Sequence, residues 1–241
     1  MWSEYGGRRT LFAIAGTFFV SGFSALLYQV AWQRLLGFFS GSDVRSAAIV
    51  ISAYLAGLGV GSLIGSFLSD RIDSCRAVRY FGFCNLGIAI FAFVSRFFFY
   101  DLLFKRLSTF AQFPMVALFI VFIGLLWPTT LMGLSLPLLS RVLVRNVDNA
   151  ARLISLCYGV NTLGAVAGTL ISGWYLIGTI GYEYTIYVGG GLSALVGIFN
   201  LVLAKRFNFR TRDNNLLPTT SSLDLRLVPM TVWAWCLLVF V

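Results

Sequence analysis

Along the 241 residues, long apolar runs alternate with short polar interruptions, most of them basic. The runs are Leu11–Leu36, Val44–Leu68, Tyr80–Leu103, Pro114–Leu139, Leu153–Ile177 and Tyr182–Ala204. Each is long enough to cross a hydrocarbon core of roughly 30 Å as a helix rising 1.5 Å per residue. Lipid offers backbone groups no outside partner, so a run of this kind predicts a helix that bonds within itself. A further run, Pro229–Val241, is too short to cross alone and reads as an interfacial tail or the start of a seventh helix. The pattern predicts a leader at 1–10, a six-helix domain at 11–204, a basic linker at 205–226 and a tail at 227–241.

The second run carries the strongest packing signal. Within Ser52–Arg71, Gly57, Gly61 and Gly65 recur every fourth residue and so share one helix face. Small residues at that spacing let a neighbouring backbone approach closely. Gly164 and Gly168 repeat the spacing in the fifth run, and Leu58-Gly59…Gly65 is similar to Leu163-Gly164…Gly168. That similarity predicts two three-helix repeats.

Composition and charge sharpen the picture. The chain is 59% hydrophobic and 11% charged, where soluble domains carry about a quarter charged residues. An all-α integral membrane protein is therefore expected, and water-soluble fold classes drop out. The net charge of +9 sits between apolar runs, which suits membrane orientation and anionic lipid headgroups better than nucleic acid. With six spans, Arg8, Arg9, Arg71, Arg76, Arg79, Arg141, Arg145, Arg152, Lys205, Arg206, Arg210 and Arg212 all fall on one side. The opposite side holds fewer cations, among them Arg45, Lys105 and Arg106, so the N-terminus is expected in the cytoplasm. The chain has no histidine, and Cys75, Cys84, Cys157 and Cys236 form no CxxC pair. No metal site, cofactor or disulfide is expected from these residues.

Several polar residues inside the runs are candidates for a site. Gln29 and Gln33 are four apart on one face of the first run, beside Tyr28 and Trp32. They line a polar cavity or belong to an interfacial aromatic belt. Asn161 and Thr162 lie inside the fifth run, where polar side chains bond a neighbouring helix or contact a substrate. Pro128 and Pro137 interrupt backbone bonding in the fourth run, and Thr129 and Thr130 are placed to satisfy the freed carbonyls. Arg96 lies inside the third run and either snorkels to the interface or binds an anion. None of the nine acids falls in the middle of a run, which argues against cation transport by this chain alone.

Four segments carry a family resemblance: Ser21–Val44, Ala53–Arg71, Pro128–Leu143 and Tyr158–Ile177. They resemble the membrane region of bacterial spermidine-synthase-like proteins, in which a major-facilitator-like helical region is fused to an aminopropyltransferase-like domain. The resemblance covers about the first 205 residues. It implies half of a major-facilitator-like fold in a bacterial inner membrane. Gln29 stands where many of those proteins carry an acid. Ser66–Arg71 also resembles the loop between helices two and three of major facilitator transporters, which makes Asp70 and Arg71 either a candidate cytoplasmic gate or a solvated helix end that follows the positive-inside pattern. That match is partial, because Ser66 and Asp73 stand where the motif has glycine.

No glycine-rich strand–helix turn followed by an acid occurs in the chain, so no enzyme activity is expected to carry over from the resemblance. The expected function is that of a non-catalytic, transporter-like half bundle, acting as a subunit or scaffold with lipids, other membrane subunits or a second copy. The alternatives are a small-metabolite transporter completed by dimerisation or by further sequence, and the membrane anchor of a spermidine-synthase-like enzyme.

Overall fold

A computed structural model describes residues 7–40, 43–97, 114–143 and 147–206. The elements are α1 (Gly7–Ser40), α2 (Asp43–Ser69), α3 (Ser74–Arg96), α4 (Pro114–Leu143), α5 (Val147–Ile171) and α6 (Ile177–Arg206), with a π turn at Ser172–Leu176 joining the last two. Residues 207–241, which include the expected tail and most of the linker, lie outside the described residues. The leader is shorter than expected, because Gly7–Thr10 already open α1.

Among the described residues, five helical stretches are long and apolar enough to cross a membrane: Phe12–Phe38, Val44–Ser69, Ser74–Ser95, Phe119–Val142 and Arg152–Lys205. This is a membrane protein built from helices. The large apolar side chains left on the outside agree with that. Ser24, Asn85, Ser95, Ser172 and Asn200 are buried, whereas Phe12, Phe67 and Trp174 are exposed. In water those exposed aromatic faces would be disfavoured, and in lipid they are at home.

The third expected run begins late. The sequence places it at Tyr80–Leu103, but α3 starts at Ser74, directly after the extended Asp73. Arg76 and Arg79 sit on exposed faces of its first turns and so reach past the apolar core without ending the helix. Residues 98–113 lie outside the described residues. Pro128 and Pro137 do not break α4, which runs continuously through both. Thr129 Oγ1 donates to the Leu125 carbonyl at 2.8 Å and Thr130 Oγ1 to the Leu126 carbonyl at 2.7 Å. These bonds back up the carbonyls next to the one that Pro128 leaves without its amide donor.

Three helix pairs set the architecture. α2 and α4 run parallel, with Gly57 against Thr129, Gly61 against Gly133 and Gly65 against Pro137. α1 and α5 also run parallel, with Gly164 against Phe19, Gly168 against Phe23 and Ser172 Oγ donating to the Leu27 carbonyl at 3.1 Å. α3 and α6 run antiparallel and meet at Gly82 and Gly197, each facing the other's carbonyl oxygen. Both glycines open a Gly-x-x-Asn segment. Asn85 and Asn200 each donate Nδ2 to the carbonyl four residues back, at 3.0 and 2.8 Å.

The stretch Arg152–Lys205 does not run straight. Gly181 has φ 82° and ψ 175°, outside helical space and in a region that favours glycine. Before it, α5 follows α1 in parallel. After it, Gly189 packs on Tyr28 and Ser193 bonds Ser24, so α6 returns antiparallel to α1. At one end of the bundle, Arg141 Nε donates to the Ile72 carbonyl at 3.3 Å and Cys75 Sγ contacts the Ala204 carbonyl at 3.5 Å. That end gathers Arg71, Arg76, Arg79, Arg141, Arg152 and Lys205.

Candidate functional site

The polar interior is organised by α1. Ser21, Ser24, Tyr28 and Trp32 follow one another at intervals of three or four residues and form one stripe along the helix. Ser21 Oγ donates to Asn85 Oδ1 at 3.0 Å. Ser24 Oγ lies 3.0 Å from Ser193 Oγ, and the Tyr28 hydroxyl bonds the same Ser193 oxygen. Tyr28 stacks on Trp32 with ring centres 5.2 Å apart, and Trp32 Nε1 donates to Ser95 Oγ at 3.4 Å. Tyr28 and Trp32 are 1% and 2% exposed, so they are core residues and not an interfacial belt. The stripe thus ties α1 to α3 and α6 through side-chain bonds.

A small cavity lies beside the stripe, where α1, α2 and α4 converge. Its polar lining comes from Gln29, Tyr54 and Thr129, and Trp32, Leu125 and Met132 close it with apolar surface. Thr129 Oγ1 also donates to the Ala53 carbonyl of α2 at 3.1 Å. Gln29 Oε1 is buried and meets no donor among the described residues. The surface it presents is almost wholly apolar and carries no charge. Among the described residues no cluster of His, Cys, Asp or Glu could hold a metal ion.

The other candidates fall elsewhere. Gln33 is half-buried one turn beyond Gln29 and does not border the cavity. Asn161 packs its backbone and side chain against Gly22. Gly22 is seven residues before Gln29, about 10 Å down the helix axis. Thr162 is exposed and bonds back to the Tyr158 carbonyl at 2.8 Å. Asp70 and Arg71 are exposed at the end of α2. The ion pair at that turn joins Asp73 to Arg76 at 3.7 Å, and the turn is fastened by Arg141 and by the buried Ile72. The side chain of Arg96 lies outside the described residues.

Sequence reasoning missed Ser24, Asn85, Ser95 and Ser193, which complete the stripe, and Tyr54, which lines the cavity. The spacing of Ser21, Ser24, Tyr28 and Trp32 on one helix face was the available signal. Nothing in the local pattern around Ser193 points to α1, which is 169 residues away.

Comparison with known proteins bears on this bundle. The chain is similar to polyamine aminopropyltransferase 1 of Streptomyces coelicolor, at 27% identity over 218 residues. The match is to an enzyme. It covers 89% of this chain and 38% of that protein, so the chain spans well under half of the relative's length. The expectation that no enzyme activity carries over is corrected by this finding. It rested on the lack of a glycine-rich strand–helix turn, whereas the likeness runs through the apolar helices themselves. No family model matches the chain, and no solved structure matches it.

Proposed function

We propose that this chain is the membrane-embedded region of a spermidine-synthase-like aminopropyltransferase, and that its helices hold aminopropyl transfer to a polyamine at the bilayer surface. The observation that carries this reading is the alignment over 218 residues with a protein named for that activity. The basic end of the bundle, with Arg71, Arg79, Arg152 and Lys205 exposed, favours an inner-membrane orientation with that end and the N-terminus in the cytoplasm.

In this reading the bundle makes six crossings, with α5 and α6 as separate spans divided at Gly181. The halves α1–α3 and α4–α6 form two repeats, as in half of a major-facilitator-like fold. The two parallel glycine-lined pairs and the matching Gly-x-x-Asn segments in α3 and α6 support the repeat. The exposed apolar faces of α2 and α5 favour lipids and a further membrane subunit or second copy as partners.

The test is direct. The protein that carries this chain is expressed in cells lacking aminopropyl transfer, and the fractions are assayed for labelled aminopropyl product on a polyamine acceptor. Activity that sediments with membranes and co-purifies with the chain in detergent is the expected result. Chain found in the membrane with no such activity would overturn the proposal. Native mass spectrometry of the same sample distinguishes a second copy from a different subunit.

A further inference from the structure

We propose that the lipid-facing seam of α3 and α6, at the basic end of the bundle, binds an anionic phospholipid, with Arg79 and Lys205 as the contacts for its phosphate. This inference does not depend on the proposed function. The register of the two helices brings the cations to one place. Cys75 Sγ meets the Ala204 carbonyl at 3.5 Å, and a β-carbon on Gly82 would lie 3.0 Å from both the Gly197 carbonyl oxygen and the Leu201 side chain. Arg79 falls four residues after Cys75 and three before Gly82, so it stands in the row of α3 that borders the seam. Lys205 follows Leu201 by four residues and stands in the matching row of α6. Both side chains are exposed, and neither makes an ion pair among the described residues.

The protein supplies no acid to answer these charges. Asp73, just before α3, is already paired with Arg76 at 3.7 Å. The helix α3 itself contains no acid. In α6 the acid is Glu183, about six turns or roughly 33 Å before Lys205. Away from the basic end, the same rows turn apolar. Phe83 and Ile90 continue the face of Arg79, Val202 and Ile198 continue the face of Lys205, and all four are exposed. A cationic step at the end of an apolar groove has the shape of a phospholipid's own division. The phosphate meets the arginine and lysine, and the acyl chains lie along the groove. A free phosphate would use the step alone. A zwitterionic lipid carries its own cation, which offsets the attraction.

Lipid retention by the full chain in neutral detergent, read by native mass spectrometry, tests the seam. The probes are phosphatidylglycerol and phosphatidylcholine with the same acyl chains. Wild-type protein should retain phosphatidylglycerol in preference to phosphatidylcholine. Arg79→Gln and Lys205→Gln should each weaken that retention about fivefold, and the double variant about thirtyfold. The unfolding midpoint without lipid should stay in place, because both side chains lie at the surface. Arg71→Gln combined with Arg152→Gln removes equal charge from the same end, on α2 and α5, and should weaken retention less than about twofold. Equal losses from the two pairs would mean a general attraction to a basic surface and would overturn the site. Displacement of the lipid by millimolar inorganic phosphate would assign the cations to a free anion and would overturn it too. The comparison of the two lipids needs no variant, and equal retention of both by the wild-type protein contradicts the proposal outright.

Discussion

Along the α2–α4 seam two backbones meet at Gly61 and Gly133, whereas α1 and α6 meet through the hydroxyls of Ser24, Tyr28 and Ser193. Both seams lie inside the same bundle and face the same difficulty. Lipid tails are as apolar as leucine, so burying apolar surface gives no net drive for helices to associate. The α2–α4 seam gains its attraction from dispersion at short range, which requires that side chains be missing. The α1–α6 seam gains it from hydrogen bonds, which requires that particular side chains be present. The first should tolerate no added atoms, and the second should weaken one bond at a time.

The largest effect is expected at Gly61. A β-carbon there would overlap the Thr130 carbonyl oxygen and lie 2.8 Å from the Gly133 Cα, and neither is the end of a flexible side chain. Gly61→Leu should therefore separate α2 from α4, read as loss of monodisperse protein on size exclusion. A variant with normal yield and unfolding midpoint would break the seam as described. Thr129→Val keeps the shape and removes the hydroxyl that reaches the Ala53 carbonyl. The expected loss is about 1 kcal/mol, measured by reversible unfolding in detergent.

Tyr28→Phe removes the bond to Ser193 and leaves the stack on Trp32 in place. Bonds of this kind in membrane proteins average about 0.6 kcal/mol and reach about 1.7 kcal/mol. A loss above that range would mean that Tyr28 does more than join two helices. The smallest effect belongs to Gly59, which lies on α2 with open space around it. Gly59→Leu should leave the midpoint unchanged within error. Equal damage at Gly59 and Gly61 would show that helix propensity, and not close approach, sets the cost.

Much of the fold was legible because lipid imposes a simple rule. A run of Leu11–Leu36 or Val44–Leu68 has to be a helix, and polar breaks have to fall near the surfaces. The start of α3 at Ser74 was not legible, since Arg76 and Arg79 read as loop until their outward placement is known. The π turn at Ser172–Leu176 left no mark in the pattern either.

The candidate site was legible only in part. Gln29 stood out as an amide inside an apolar run, and it does line the cavity. Asn161 stood out for the same reason and lies about two turns away along α1, because the parallel pairing of α1 and α5 fixes its height at Gly22. Serines in a helix look alike in sequence, and what makes Ser193 important is the return of α6 along α1. Asp70 and Arg71 drew attention as an adjacent charged pair, but the bonds that fasten their turn come from Arg141 and the Asp73–Arg76 pair.

Everything about the second half of the bundle depends on the chain reversing at Gly181. Single cysteines at Arg152, Thr179 and Lys205 in a cysteine-free background, labelled from each side of sealed membranes, test that reversal most directly. Residues 152 and 205 should react from the same side and residue 179 from the other. Labelling of 152 and 205 from opposite sides would mean that the stretch crosses once, and the reversal, with the pairing of α6 along α1, would be wrong.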